Sequence, residues 1–141
     1  LVINEFMASN TATITDESGA YPDWIELYNP SERVVSLEGW TITDDLAEPG
    51  KHALDASLSV PAGGFLLLWA DNDIADGPAH LDFALAASGE TLGLFAPDGS
   101  ELDSVEFGQQ LSDSSAARIP DGSSSWTITE TPTPGWSNGA D

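Results

Sequence analysis

The sequence predicts an all-β domain of about seven to nine short strands, arranged as a sandwich or a barrel. Apolar and polar residues alternate over stretches that are too short to form helices. Clusters of Pro, Asp, Asn and Gly separate these stretches, as turns do in all-β proteins. The chain of 141 residues has the size of one domain that buries a core without disulfides or metals.

The alternation identifies the individual strands. In residues 24–28 (WIELY), Ile25 and Leu27 share one face, whereas Trp24 and Tyr28 share the other. The first residues, LVIN, also have the character of a strand. The same pattern predicts further strands in residues 40–43, 90–95, 105–107 and 125–129.

Turn residues separate the predicted strands in residues 29–32, 60–64, 96–99 and 119–122. Pro97, Asp98 and Gly99 predict a β-hairpin, in which Gly99 takes a positive φ. Residues 71–87 are the least regular part of the chain. They predict a long loop with one short helical turn around residues 83–86.

Two segments depart from simple alternation. Residues 65–69 (FLLLW) are apolar on both faces, so we expect a second sheet to cover one face. Either the loop of residues 71–87 or a partner protein covers the other. Residues 131–141 form a Pro-rich C-terminal segment, which we expect to lie extended on the surface and to be held there by Trp136.

The composition is strongly acidic. The chain has twenty-four Asp and Glu residues and only three basic ones, Arg33, Lys51 and Arg118, which gives a formal net charge of -21. Such a surface repels nucleic acid and anionic lipid, which bind proteins through Lys and Arg. With no apolar run of about 18 residues, membrane insertion is also excluded. The acidic residues serve either as a solvated shell or as ligands for divalent cations.

The densest group of oxygen ligands lies in residues 71–77 (DNDIADG). Asp71, Asp73 and Asp76 are candidate calcium ligands, because hard cations take six to eight oxygen atoms at short range. The spacing is not that of an EF-hand, and a solvated acidic loop explains the same residues. A weaker candidate, residues 44–48 (DDLAE), equally fits hydrogen-bonded turns.

Three aromatic residues, Trp24, Tyr28 and Trp136, are candidates for binding a sugar ring or a partner's side chain. The alternative for Trp24 and Tyr28 is that they cap the core or lie under a loop. The sequence contains little that indicates a catalytic site. The chain has no Cys, and neither His52 nor His80 belongs to a catalytic motif.

Seven blocks of sequence together carry a family resemblance. They are residues 2–5 (VINE), 23–29 (DWIELYN), 37–45 (LEGWTITDD), 61–70 (PAGGFLLLWA), 85–92 (LAASGETL), 118–122 (RIPDG) and 132–138 (PTPGWSN). In this order and over nearly the whole chain, they resemble the lamin tail domain family in its bacterial form. Each block alone is weakly specific, but the ordered set is specific.

The resemblance implies an immunoglobulin-like β-sandwich without catalytic residues, with residues 1–141 as a single domain. It also implies an accessory module of a larger secreted or cell-surface protein, in the extracellular space or cell envelope, with a protein or glycan partner. The similar domain of animal lamins is associated with DNA contacts. The acidic surface of this chain argues against carrying that role over.

Overall fold

The computed structural model describes residues 1–139 and contains eleven β-strands and one 3₁₀ turn. The strands are β1 (Val2–Met7), β2 (Asp23–Tyr28), β3 (Val35–Ser36), β4 (Thr41–Thr43), β5 (His52–Ala53), β6 (Ser59–Val60), β7 (Phe65–Ala70), β8 (Glu90–Phe95), β9 (Glu101–Phe107), β10 (Ser115–Arg118) and β11 (Trp126–Thr129). Eight of them have three residues or more, which corresponds to the predicted count. Strands β3, β5 and β6, of two residues each, were not predicted.

The strands form two principal sheets. The larger sheet has the order β11-β10-β1-β2-β7, and the smaller sheet has the order β5-β4-β8-β9. Strands β3 and β6 form a separate pair, and all strand pairs are antiparallel. The predicted β-sandwich is confirmed. The segment of residues 23–45 supplies β2 to the larger sheet and β4 to the smaller one.

The hairpin predicted from Pro97, Asp98 and Gly99 connects β8 to β9 and is confirmed. Gly99 has a φ of 86°, which an L-residue adopts only with strain. The register shifts between Leu94 and Phe95, next to this turn. The bulge expected from a Gly-containing hairpin is therefore present.

The core lies between the two sheets. Ile25 and Leu27 of β2 are fully buried there, as their alternation predicted. Leu92 and Leu94 of β8 meet them from the smaller sheet's side of the same apolar cluster. Burial of each such side chain contributes roughly 1.5–3 kcal/mol, so this core is the main source of stability.

The predicted helical turn around residues 83–86 was wrong. The 3₁₀ turn forms earlier, at Ile74–Asp76. Ala84 instead forms an isolated bridge with Asp71, and the Phe83 carbonyl accepts the Asn72 N–H at 3.2 Å. This pairing keeps residues 83–84 extended and buries the Phe83 side chain in the core.

The loop that follows β7 covers the Trp69 end of this doubly apolar strand, which agrees with the first of the two covers that the sequence left open, the loop or a partner protein. Residues 79–81 lie beside Trp69, whose N–H donates to Ala79 and whose carbonyl accepts the Leu81 N–H, both at 2.8 Å. Ala79 also packs against the side-chain cluster that contains Trp69. The loop therefore extends the edge of the larger sheet and shields its outer face.

Candidate functional site

The outer face of the larger sheet carries Trp24, Glu26 and Tyr28, the row that the alternation predicted to share one face. Trp24 is fully buried against Met7 and Trp69, with Ile14 packed over this cluster. Of the two interpretations of Trp24, an exposed binding residue or a residue beneath a loop, the structure agrees with the second. The loop between β1 and β2 covers it, which a pattern within β2 alone does not reveal.

Tyr28 is half-buried at the other end of this row. Its ring stacks on Phe65 with a centroid separation of 5.2 Å and an interplanar angle of 26°. Gly122 approaches the same ring so closely that a Cβ atom at that position would lie 3.3 Å from it. Tyr28 thus supports the loop of residues 119–125 rather than standing free.

Two carboxyl groups lie between these aromatic ends. Glu5 of β1 faces Glu26 of β2 across the strand pair, and both residues are fully buried. Burial raises the pKa of Glu26 to about 8, with a smaller contribution from the neighbouring Glu5. Burial also raises the pKa of Glu5. Within residues 1–139, neither carboxyl forms an ion pair.

The C-terminal segment, residues 131–139, covers this pair and is bonded to it. Thr133 donates its N–H to Glu5 Oε2 and its hydroxyl to Glu5 Oε1, each at 3.0 Å. Gly135 donates its N–H to Glu26 Oε2. Ser115 Oγ also donates to Glu5 Oε2 at 2.6 Å, whereas Glu26 Oε1 has no hydrogen-bond partner among the described residues. The buried carboxyls therefore hold the segment through its main chain.

A second set of bonds holds the end of the segment. Asn138 Nδ2 donates to the carbonyls of Asn4 at 3.0 Å and Arg118 at 2.9 Å. The Asn138 N–H donates to Asp121 Oδ1 at 2.8 Å. Asn4 in turn donates its Nδ2 to the same oxygen at 3.0 Å. The turn between Thr133 and Asn138 is thus fixed at both ends.

Trp136 stands in that turn with 76% of its surface exposed. The expectation that this side chain holds the segment on the surface was wrong, because main-chain bonds to Glu5 and Glu26 perform that task. The Trp136 N–H donates to the Thr133 carbonyl at 2.9 Å, which closes the turn. The arrangement displays a large aromatic ring to solvent on a backbone of fixed conformation.

The predicted calcium loop forms a different cluster from the one expected. Asp71 and Asp76 come together with Asp16 and His80, with their ligand atoms all within 4.8 Å of one another. Asp73 does not belong to this group; its N–H donates to Asp71 Oδ1 at 3.2 Å. The three carboxylates supply oxygen ligands of the kind that a divalent cation takes, whereas both ring nitrogens of His80 already face carboxylate oxygens. Calcium binding at Asp71, Asp73 and Asp76 stays a prediction.

His80, which carried no sequence signal of its own, organises this cluster. Its side chain is 1% exposed, with Nδ1 2.6 Å from Asp71 Oδ2 and Nε2 2.5 Å from Glu17 Oε1. Burial lowers the pKa of His80, but the hydrogen bonds and charges of the two carboxylates outweigh it, so the pKa is raised. Both ring nitrogens face carboxylate oxygens, an arrangement that favours the protonated form of the imidazole.

The weaker acidic candidate, residues 44–48, is occupied by local contacts. Asp44 forms an ion pair with Lys51 at 2.6 Å, and Asp45 Oδ1 accepts the Ala47 N–H at 2.9 Å. The other histidine, His52, lies 3.2 Å from Asp82. Among the described residues, no serine hydroxyl hydrogen bonds to either imidazole.

A family model described as Lamin Tail Domain matches residues 1–109. The chain belongs to the lamin tail domain family. The resemblance found in the sequence is confirmed, and the sandwich is the immunoglobulin-like fold of this family, whose members are non-enzymatic protein-interaction domains. No curated protein and no solved structure matches the chain significantly.

The structural unit extends beyond the family match. Strand β10 pairs with β1 in the middle of the larger sheet, and β11 pairs with β10. The C-terminal segment then returns to the same sheet. In the part of the chain that the structure describes, no helix has the length and apolar character required to cross a membrane.

Proposed function

We propose that this lamin tail domain is a non-catalytic accessory module of a secreted or cell-surface protein, which attaches to a partner protein through Trp136. The proposal rests first on the family, whose members are protein-interaction domains. The observation that carries it is the exposure of Trp136, 76% of whose surface faces solvent. Tryptophan, with Tyr and Arg, is enriched among the residues that contribute most of the binding energy at protein interfaces.

The fixed backbone around Trp136 strengthens the proposal. Binding through a mobile segment loses affinity to the ordering of that segment, whereas a preorganised contact avoids this cost. Here Thr133, Gly135 and Asn138 are already bonded to groups of buried sheet residues. A tryptophan on such a turn offers a large contact area with only two side-chain torsions left to order.

The extracellular or envelope location is part of the proposal and is supported by the surface charge. A net charge of -21 keeps a protein soluble and repels nucleic acid and anionic membranes. An appended module with this surface stays free to meet a partner outside the cell. It does not compete for the nonspecific anionic sites that basic proteins occupy.

The test replaces Trp136 with a photo-crosslinking phenylalanine derivative and identifies the protein captured on intact source cells. Tyr21, which is 45% exposed on another loop, receives the same derivative as the matched control. We expect one partner to be captured from position 136 and not from position 21. The purified partner is then expected to bind Trp136→Ala at least about tenfold more weakly than the unmodified domain. Equal affinities of the two proteins would contradict the proposal.

A carbohydrate ligand is the second candidate, because an exposed Trp also stacks on sugar rings. Trp136 alone supports it, since Trp24 is buried and Tyr28 stacks on Phe65. A glycan array tests it with the domain and its Trp136→Ala variant. Glycan binding that is lost in this variant, with an unchanged melting temperature, would replace the protein partner by a glycan.

A further inference from the structure

A second surface lies at the open edge of the sandwich, away from the contacts of the C-terminal segment. Strand β9 is the outermost strand of the smaller sheet, and β11 is the outermost strand of the larger one. In residues 1–139, neither has a further strand on its outer side. Such edges offer unpaired main-chain groups to an incoming strand.

A groove of about 280 Å³ lies between these two strands, lined by residues of both. Its floor is aromatic: Phe6 is fully buried, and the rings of Phe107 and Trp126 lie 4.6 Å and 5.5 Å from it. Ile128 of β11 lines the groove with 57% of its surface exposed. The groove is therefore an apolar slot beside edges that are able to accept a strand.

The charges around the groove are negative. Glu106 lines it and is exposed, and Glu101 is exposed on the same strand. Arg118 stacks over the Trp126 ring at 4.5 Å, but its guanidinium is bonded to both oxygens of Asp103, at 2.7 Å and 2.9 Å. That ion pair leaves no uncompensated positive charge at this position.

The net charge of the domain also indicates which of two occupants, a second copy of the chain or a cationic partner, binds in the groove. A second copy of this chain carries the same net charge of -21, so pairing edge to edge would place like charges against each other. A partner segment with Lys or Arg is attracted instead. An extended peptide supplies alternating side chains, one set for the slot and one for the acidic rim.

We propose that the groove between β9 and β11 binds an extended cationic segment of a partner protein, which adds as a strand along this edge. Its apolar side chains enter the slot over Phe107 and Trp126, and its Lys or Arg side chains face Glu106. This inference rests on the proposed function, since it adds a second contact to the same protein-interaction module. It assigns that contact to a different face from Trp136.

The experiment uses the whole domain, isotopically labelled, with three end-blocked octapeptides as probes. One alternates Lys with Val, one alternates Glu with Val, and one alternates Lys with Ser. We expect the Lys-Val peptide to shift the amide resonances of residues 101–107 and 126–129 in a saturable manner. The Glu-Val peptide is expected not to bind, and the Lys-Ser peptide to bind at least about tenfold more weakly, because the slot is apolar.

Two variants with the same added charge locate the site. Ile128→Lys is expected to weaken the Lys-Val peptide at least about tenfold, since it places a cation in the groove. Ile74→Lys is the matched control, because Ile74 is 63% exposed but lies outside the groove, and is expected to leave the affinity unchanged. Both positions are exposed, so both variants are expected to fold.

Three outcomes would overturn the inference. Resonance shifts spread over the acidic surface, with equal affinity for the Lys-Ser peptide, would show attraction by charge alone. Concentration-dependent dimers that involve residues 126–129 would show a second copy as the occupant. Absence of saturable shifts with every peptide would show that the edge takes no strand. In each case the Trp136 crosslinking result stands separately, so failure here leaves the proposed function intact.

Discussion

Two regions of this domain gather carboxyl groups and hold them differently. Around His80 the side chains of Asp71 and Glu17 are 15% and 58% exposed, whereas Glu5 and Glu26 are fully buried beneath the C-terminal segment. In the loop around Asp71, the buried imidazole of His80 lies between Asp71 and Glu17, with one ring nitrogen facing each carboxylate. Beneath the C-terminal segment, Glu5 and Glu26 meet only N–H and hydroxyl donors in the described residues. The carboxyls of the first region are therefore stabilised by pairing with an imidazole, whereas those of the second region are stabilised by taking up a proton.

The proton dependence has a definite sign. The folded pKa of Glu26, about 8, lies above its usual value of 4.5, so the folded state binds the proton more tightly. Its contribution to stability is fully present below pH 4.5 and is lost as the pH rises towards 8. The Gly135 N–H bond itself lowers this pKa, because an N–H donor favours the ionised carboxylate, so the gain in stability at low pH comes from burial and not from this bond.

The largest effect is expected from breaking the ion-paired region. His80→Ala removes the buried partner of Asp71 and the ring that stacks near Trp69, at a centroid distance of 6.4 Å. We expect the free energy of unfolding, measured by urea denaturation, to fall by about 3 kcal/mol. His52→Ala is the control and is expected to cost about 1 kcal/mol, because its partner Asp82 is 40% exposed and is rehydrated readily. Equal losses in the two variants would contradict the central role of His80.

A smaller effect of opposite sign is expected beneath the C-terminal segment. Glu26→Gln mimics the protonated side chain and is expected to raise the free energy of unfolding at pH 7.5 by about 2 kcal/mol. The gain is limited because the amide group finds no complete set of partners. Because the cost of the amide does not depend on pH, the variant is expected to become less stable than the unmodified protein near pH 4, where Glu26 is protonated in both states. Glu101→Gln, at an exposed position, is the control, and the same pH profile in both variants would argue against a buried proton at Glu26.

The smallest effect is expected from calcium. Because His80 already bonds the Asp71 carboxylate through Nδ1, calcium must compete with this contact, and it is expected to raise the melting temperature by only a few degrees relative to chelator. Asp16→Asn is expected to abolish this difference, since Asp16 belongs to the cluster with Asp71 and Asp76. Asp73→Asn is the matched control and is expected to preserve it. Identical melting curves with calcium and with chelator would rule out the calcium prediction.

The sequence predicted those features of the fold that depend on residues close together in the chain. Alternation in β2 placed Ile25 and Leu27 in the core, and the Pro-Asp-Gly turn placed the β8–β9 hairpin. Both follow from the period of a strand or the conformational freedom of Gly99, which act over a few residues. The family resemblance supplied the arrangement of the sheets.

The site depended on contacts between distant parts of the chain and could not be predicted in this way. The residue that covers Glu26, Gly135, lies 109 positions further along the chain, and Glu17 and His80 are 63 positions apart. Periodicity within β2 does not reveal whether its outer face is solvated. One local signal did indicate that this face is covered. Glu26 lies between two aromatic residues, Trp24 and Tyr28, on the same face of β2.

Amide hydrogen exchange at Gly135 tests the central claim that the buried glutamates fix the turn that displays Trp136. We predict protection of this amide by at least about a hundredfold at pH 6, and a loss of that protection in Glu26→Ala while the amides of β8 stay protected. Thr131→Val, which changes a hydroxyl outside the buried pair, is expected to leave Gly135 protected. A Gly135 amide that exchanges freely in the unmodified domain would contradict the account.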